Sequence, residues 1–490
     1  MSFIAVDLGT TNIKVTAYDK KLQMLSERNK NVEYIREGDM VEFNASNYFS
    51  DVQSLIAECC RLGFNNTKEV IQIILTGQAE SLICLDKEGN PIRNGISWLD
   101  MRSENECEEL KSKFDEKTCF HITGQPSIIP TWPITKMLWL KRNESQVFSD
   151  VSMYLMLKDY IQYQLTGKIV GEYSIYNFTH YFDIRKKVYW NDILEYCGIN
   201  ENQLPPLVEP CTNIGVIKSD VAQNIGVSAN STVNVGTLDH FSGMIGTGNI
   251  KPGLISETTG TVLSIATMVD KPLLGDVRIP CHYGPFKDTY VLLPVCESGG
   301  VSLEWFKKGF MEDLSYHELN AELASRDLPN ELVFLPYLTG VNAPDFNEKA
   351  NGVFYGIKLK HDKVDFAYSI MEGIAHIFTV NINYMKKIGV NPEMIISTGG
   401  GAKSDIWSQM KADISRNVVA IPQIEETACL GAAIIGAVHD GVYNSFEEAA
   451  KHCISIKKAF TPSKNQRLLD KHRLFNELYS NMQSIFNYSV

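Results

Sequence analysis

The sequence lacks the features that would point to a membrane or to nucleic acid. None of its 490 residues belongs to a run as long as the roughly 18 consecutive apolar residues of a membrane span. The richest stretch, Cys429 to Val438, is broken by glycines and followed by His439 and Asp440. The opening residues carry neither a basic region nor a long apolar one, so no secretory leader is expected. Basic charge is in deficit: 46 Lys plus Arg stand against 58 Asp plus Glu, a formal net charge of −12. The broad basic face that phosphate-backbone binding needs is therefore missing, and nucleic acid is not expected as a partner. The 11 cysteines include no C-x-x-C pair, and Cys59 and Cys60 are adjacent, a usage that fits reduced thiols in the cytoplasm better than a disulfide framework or zinc site. The common catalytic signatures are absent as well. There is no G-x-x-x-x-G-K-[ST] loop, no G-x-G-x-x-G between strand and helix, no H-E-x-x-H and no G-x-S-x-G.

What is present is ample material for a core: 44% apolar residues, with 22 Phe, 21 Tyr and 6 Trp. That excludes wholesale disorder, and the length suggests two large domains or three small ones. Phe3 to Tyr18 reads as two strands joined by Gly9-Thr10-Thr11-Asn12. Residues 70–76 form a β-branched strand ending at Gly77. Gly253 to Ile265 repeats the order of strand, Gly/Thr-rich tip and strand. Glu393 to Thr398 reads as a buried strand that feeds Gly399-Gly400-Gly401. The helical spacing of Ile406, Trp407, Met410 and Ile414 follows, with Trp305, Trp407 and Met410 assigned to the core. Val418 to Pro422 is a further strand and Thr427 to Asp440 a further helix. Alternating strands and helices call for an α/β architecture. The boundary falls near 245, giving domains 1–245 and 246–490 around a cleft.

The chemistry resides in glycine and threonine loops at strand ends. Glycine lets backbone N–H groups approach a phosphate, and threonine hydroxyls donate further hydrogen bonds. In Asp7 to Lys14 the carboxylate could hold a hydrated Mg²⁺ while Lys14 reaches a transferring phosphoryl group. The same string also suits a plain tight hairpin with a solvated Asp and Lys. Asp239 lies between the strand-like run Ser231 to Gly236 and a helix ending near Gly248, after a turn that starts at Thr237. That position suits a helix cap and equally a general base.

Taken together, these segments resemble the FGGY carbohydrate kinases, a family that includes xylulokinase, gluconokinase and glycerol kinase. The resemblance covers essentially the whole chain. Asp7 to Lys14 is similar to the family's first phosphate loop, Ile96 to Arg102 to its I-x-W-x-D-x-R substrate segment, and Gly236 to Asp239 to its catalytic-aspartate segment. Thr259-Gly260-Thr261 resembles the second phosphate loop and Gly399 to Asp413 the adenosine segment. Pro133 to Asn143 follows one family signature, with Thr131 departing from its first position, and Gly352 to Glu372 follows the other.

The resemblance implies a duplicated actin-like, ribonuclease H-like ATPase fold with two domains around a central cleft. It implies ATP and Mg²⁺ as cofactors, with Asp7 holding the metal through water, and transfer of a phosphoryl group to a small sugar or polyol. Asp239 and Asp7 are the implied catalytic residues. Gln78, Ala79, Glu80, Trp98, Asp100, Arg102, Thr131, Asp239 and His240 would line the substrate. Gly9, Thr10, Thr11, Asn12 and Lys14 would bind ATP together with Thr259, Gly260 and Thr261, and with Gly299 and Gly300. Gly399, Gly400, Gly401 and Ala402 would complete that side, with Ser404 capping the next helix. Ala79-Glu80 stands where the glycerol kinases resembled here have Arg-Glu and xylulokinases have Met-His. With Thr131 in place of a Tyr and His240 in place of a Gln, glycerol is disfavoured. A ketose such as xylulose, a polyol or a sugar acid remains, and a homodimer is carried as a candidate assembly. The alternative on the same fold is a non-catalytic sugar or nucleotide sensor, or a chaperone-like ATPase.

Overall fold

The computed structural model describes residues 2–64, 69–275, 279–328, 330–343, 345–424 and 426–488. One mixed sheet is built from β1 (Ser2–Leu8), β2 (Asn12–Tyr18), β3 (Met24–Asn31), β4 (Ile71–Gly77), β5 (Asn213–Val216) and β6 (Thr232–Leu238) in the order 5-6-4-1-2-3. A second contains β7 (Leu254–Thr259), β8 (Leu263–Val269), β9 (Cys281–Tyr283), β10 (Tyr290–Leu292), β11 (Val295–Cys296), β12 (Met394–Thr398), β13 (Val419–Pro422) and β14 (Ile456–Phe460). Its order is 9-10-8-7-12-13-14, with β11 also on β8. Reading 14-13-12-7-8-10 against 5-6-4-1-2-3 aligns every strand direction. Each half has an antiparallel hairpin, two parallel strands beside its first arm, and an antiparallel edge. The duplication expected from the two Gly/Thr hairpins is thus one of topology. All 11 cysteines are free thiols, and among the described residues no helix is long and apolar enough to cross a membrane.

The period of two along β1 decides what each face of the first sheet meets. Ile4, Val6 and Leu8 pack with Val52, Ile56 and Cys59 of the helix Ala45–Gly63. Phe3 and Ala5 point the other way and join Ile74 of β4 in a cluster with Cys429, Ala433 and Ile434. Those last residues belong to a helix of the second half, so the halves share a core at this point. We label this helix α3 (Thr427–His439), with α1 (Asp239–Thr247) and α2 (Asp405–Ser415) before it. α1 and α3 pack on each other through glycines. A Cβ on Gly246 would stand 1.9 Å from the Thr427 carbonyl oxygen, and one on Gly431 would stand 1.8 Å from that of Ser242.

Two local expectations need correction. No turn separates strand from helix at Thr237: β6 runs to Leu238 and α1 begins at Asp239. The reason is a bulge, since pairing of β6 with β4 shifts between Asn234 and Thr237. Gly236 takes φ +59 there, where a Cβ would be 1.7 Å from the Leu75 carbonyl oxygen. Its N–H donates to Asn234 Oδ1 at 2.8 Å. The extra residue bends the strand and re-aims Asp239. Trp305, expected in the core, is 44% exposed, whereas Trp407 and Met410 are buried. The helical spacing around Trp305 is real, but it lies on the outer face of its helix, against Phe310 rather than under it.

Candidate active site

The site forms at the carboxyl ends of the parallel strands, where α/β sheets open a crevice. Asp7 lies in β1 across from Lys14 of β2 and Thr76 of β4. The equivalent position in the second half is Thr258, across from Ser264 of β8 and Thr398 of β12. The first strand of each half therefore leads into a turn rich in Gly and Thr. In one half the residue before that turn is a carboxylate, and in the other it is a hydroxyl.

The segment expected to meet the sugar and the loop expected to meet phosphate form one hydrogen-bonded unit. Gln78 N–H donates to Leu8 O at 3.1 Å, and Gln78 Nε2 to Gly9 O at 3.4 Å. Ser81 Oγ donates to Gln78 Oε1 at 2.8 Å and accepts the Trp98 N–H at 3.1 Å. Trp98 Nε1 then donates to Thr10 Oγ1 at 2.9 Å. Ala79 is buried beside this chain, and Thr11 is exposed at the tip with Asn12 following in β2.

Asp239 is the first residue of α1 and does not cap it, since the cap position is Leu238. Among the described residues its Oδ1 accepts the N–H of its neighbour, His240, at 2.6 Å. With His240, Gly243, Thr258, Thr398 and Thr427 it lines a cavity of about 220 Å³. Thr398, whose hydroxyl bonds that of Thr258 at 2.8 Å, also borders a second cavity of about 300 Å³. That one is walled by Gly399, Gly400, Ala402, Pro422 and Gln423.

Glycine is required along this route by close approach. A Cβ on Gly399, at φ +78, would be 2.7 Å from the Thr259 carbonyl oxygen, and one on Gly401 would be 2.6 Å from Thr259 Cβ. The second loop is braced by Gly300 N–H to Gly260 O at 2.8 Å and Val301 N–H to Thr261 O at 3.0 Å. Gly299 lies where a Cβ would meet Val262 at 2.3 Å.

Several named side chains are already engaged within the protein. Asp100 accepts from Val41 N–H at 2.6 Å and from Arg102 Nε at 2.8 Å, and Arg102 also reaches Glu42 at 2.7 Å. This buried network anchors the segment that carries Trp98. The Thr259 hydroxyl donates to Glu257, which pairs at 2.8 Å with Lys411 of α2, both fully buried. Ser404 Oγ accepts Trp407 N–H at 3.3 Å as the cap of α2 and donates to Asn320 at 2.5 Å. Lys14, read as a phosphate ligand, forms an ion pair with Glu426 from the other half.

Reading the sequence alone assigned no role to Glu426, Lys136, or the Glu257–Lys411 pair. No local signal marks them: the strand of Glu257 reads LISETT, and α2 carries Asp405, Gln409 and Asp413 beside Lys411.

Charge is crowded around Asp7. Burial, followed by the charges of Asp239 and Glu426, raises its carboxyl from the ordinary 3.8 to about 7 against the pull of Lys14. Its Oδ1 is buried without a hydrogen-bond partner among the described residues. Such an excess of carboxylate is what a hydrated divalent cation relieves. Among the described residues no group of three or more His, Cys, Asp or Glu could hold a metal directly. The residues therefore fit Mg²⁺, which keeps its waters and takes one or two carboxylates beside substrate phosphates.

The raised carboxyl has a consequence for the unliganded chain. A proton is bound more tightly by Asp7 in the folded than in the unfolded state, so stability falls as pH rises from about 4 to about 7 and stays reduced above. Asp7→Asn should therefore raise the melting temperature by several degrees at pH 8 and leave it unchanged near pH 4. An equal shift at both values in a thermal melt would refute the charge argument.

Residues 2–246 match the N-terminal domain, and residues 256–439 the C-terminal domain, of the FGGY family of carbohydrate kinases. A xylulose kinase of Bacillus subtilis is 30% identical over 484 residues, covering 98% of this chain and 96% of that one. A gluconokinase of the same organism is 27% identical, covering 91% and 88%. The crystal structure of xylulose kinase from Rhodospirillum rubrum superposes with a TM-score of 0.93 at 21% identity over the full length of both chains. With both family domains matched in order along one duplicated fold, the chain belongs to the FGGY family of carbohydrate kinases, phosphotransferases that act on an alcohol group.

Proposed function

We propose that this kinase transfers the γ-phosphoryl group of ATP to a hydroxyl of a small ketose such as xylulose, a polyol or a sugar acid, with Asp239 as general base. The observation that carries the reading is a pair of cavities that both border Thr398, one lined by Asp239 and the other by the Gly399 turn. A triphosphate chain laid along them would bring its terminal phosphate toward Asp239 and leave its adenosine against the glycine turn. Phosphoryl transfer asks little covalent chemistry of a protein, so positioning and charge stabilisation carry most of the rate.

In the step itself the substrate oxygen bonds to the γ-phosphorus, the bond from that phosphorus to the bridging oxygen of ADP breaks, and the hydroxyl proton passes to the Asp239 carboxylate. Asp7 would hold Mg²⁺ through water. A metal held there would supply neutralisation of the charge that develops on the phosphates. Lys14 exchanges Glu426 for phosphate as the nucleotide enters. Closure of the halves excludes water that would otherwise hydrolyse ATP.

The test is ADP release by the full chain with and without xylulose, ribulose, fuculose, erythritol, glycerol and gluconate. Sugar-dependent release, at least about 100-fold over the rate with ATP alone, is the expected result, in line with base catalysis on a bound alcohol. Hydrolysis that ignores every sugar would replace this reading with a chaperone-like ATPase or sensor.

A further inference from the structure

We infer that the buried pair of Glu257 and Lys411 braces the second Gly/Thr tip against the glycine turn at 399–401, and thereby sets the affinity of the site for ATP without touching the nucleotide. The inference rests on the kinase reading above and adds two positioning residues to its nucleotide side.

The period of two along β7 gives its two faces different neighbours. Ser256 and Thr258 line the cavity that Asp239 borders. Ile255, Glu257 and Thr259 alternate with them, and Ile255 shares a core with Trp407 and Met410 of α2. The charge of Glu257 is thus buried directly behind the cavity wall.

Both oxygens of that carboxylate are engaged. Oε1 accepts from Lys411 Nζ at 2.8 Å and from the Thr259 hydroxyl, and Oε2 accepts from the Ser397 hydroxyl. Lys411 Nζ also donates to Thr259 Oγ1 at 2.8 Å. Four residues, none more than 1% exposed, therefore tie β7, its tip, β12 and α2 into one network. Thr259 is also where the tip meets the glycine turn, since Cβ atoms on Gly399 and Gly401 would strike its carbonyl oxygen and its Cβ. Held through its hydroxyl on one flank and pressed by glycines on the other, the tip has one position.

The first half shows that the fold does not need this charge. Thr258 answers to Asp7, so Glu257 answers to Val6 and Thr259 to Leu8. Across the sheet Val6 faces Val15 and Leu75, where Glu257 faces Ile265 and Ser397. The first hairpin stands on Val6 and Leu8 in an apolar cluster. Burying an ion pair costs desolvation, and apolar residues of the same size often serve stability as well or better. A pair placed where apolar residues build the same hairpin has a task other than stability, and its bonds to Thr259 point to the tip. A buried ammonium holds a loop in the first half too: Lys136, on the helix Pro133–Asn143, donates to Ser97 O, next to Trp98, and to Thr131 O, each at 2.8 Å.

The experiment measures kcat and KM for ATP and for the sugar in the full chain, using whichever of the six compounds above gives the fastest ADP release. ATP binding by calorimetry and a thermal melt accompany it. Glu257→Leu with Lys411→Met removes both charges at once. In that double variant KM and Kd for ATP should rise about tenfold or more, with KM for the sugar within about twofold and the melting temperature within a few degrees of the parent's. A purely structural pair would move the melting temperature and both KM values together. Thr259→Val removes only the hydroxyl. It should raise KM for ATP by a similar factor in the parent and by less than about twofold in the double variant, because the two changes cut one link. Thr259→Ser keeps the hydroxyl and should match the parent. Should the double variant fail to fold, Thr259→Val against Thr259→Ser carries the decision alone. The inference is overturned, and the kinase reading left standing, by an unchanged KM for ATP in the double variant, by a rise shared equally by the sugar, by an additive effect of Thr259→Val, or by equal values in the two Thr259 variants. No ADP release by the parent with any compound overturns both.

Discussion

Asp239→Asn is expected to lower kcat by about 10³-fold, within the 10²–10⁴ range of a positioned proton acceptor, while ATP binding stays within about twofold of the parent. Asparagine is close to isosteric, and its Oδ1 can still accept the His240 N–H that Asp239 accepts at 2.6 Å. The helix start is therefore retained, and because the cap position is Leu238, no capping energy is lost with the charge. What disappears is a carboxylate able to take the hydroxyl proton. It also disappears from the field of Asp7, whose carboxyl Asp239 pushes upward. Asp7 should then ionise more readily, so any change in metal dependence runs toward tighter binding and cannot mimic the loss of turnover. Single-turnover phosphoryl transfer, with ATP binding measured by calorimetry, separates the two. Turnover near that of the parent would remove Asp239 from its role and leave the cavity without a base.

Gly431→Ala should be the most damaging single methyl group in the joint between the halves. Placed mid-helix in α3, alanine gains up to about 1 kcal/mol of helix propensity over glycine. Against this stands a Cβ only 1.8 Å from the Ser242 carbonyl oxygen and 3.0 Å from the Gly246 nitrogen. These are backbone atoms of α1, so relief requires the two helices to separate by more than an ångström. Both helices are buried, and overpacking of that kind costs typically 1–3 kcal/mol and sometimes more. The clash wins over the propensity.

The functional loss should exceed the loss of stability. α1 carries Asp239 at its start and α3 follows Glu426, so separation displaces the proposed base from the loops proposed to hold the nucleotide, and a displacement near 1 Å can cost about 10²-fold in rate. Gly309→Ala, in the helix Gly300–Phe310, is the control. Its Cβ would have nothing within 4 Å, and melting temperature and kcat should both stay near the parent's. If Gly431→Ala melts and turns over like the control, the α1–α3 crossing is not the rigid joint described above.

The elements that were legible in the sequence are those whose cause is local. Alternation along Ser2–Leu8 and Asn12–Tyr18 gave the first hairpin, and the same order around Thr259 gave the second. The glycine run at 399–401 announced a turn, and the turn is where strand Met394–Thr398 meets Thr259. Ser404 was readable as a cap because a serine three residues before Trp407 needs only its own neighbours to act. Elsewhere the local pattern misled. The spacing that buries Trp407 also places Trp305, yet spacing identifies a face without saying which neighbour covers it, and Trp305 is 44% exposed.

The sequence by itself therefore determined the duplicated hairpins, the glycine turns and the order of chemistry along the chain, because backbone sterics and side-chain period act over a few residues. Only the tertiary structure decided the pairing of charges. Lys14 and Glu426 are 412 positions apart and Glu257 and Lys411 are 154 apart. Nothing in either string of residues specifies such partners until the sheets and helices bring them together. The same holds for Asp100 and Arg102, two residues apart in a segment that reads as substrate-facing, whose carboxylate and guanidinium turn to Val41 and Glu42 once the strand Met40–Phe43 is beside them. Charge pairing follows distance and burial, and both are properties of the folded chain, since the Coulomb energy of a pair depends on its separation in space and on the water excluded around it.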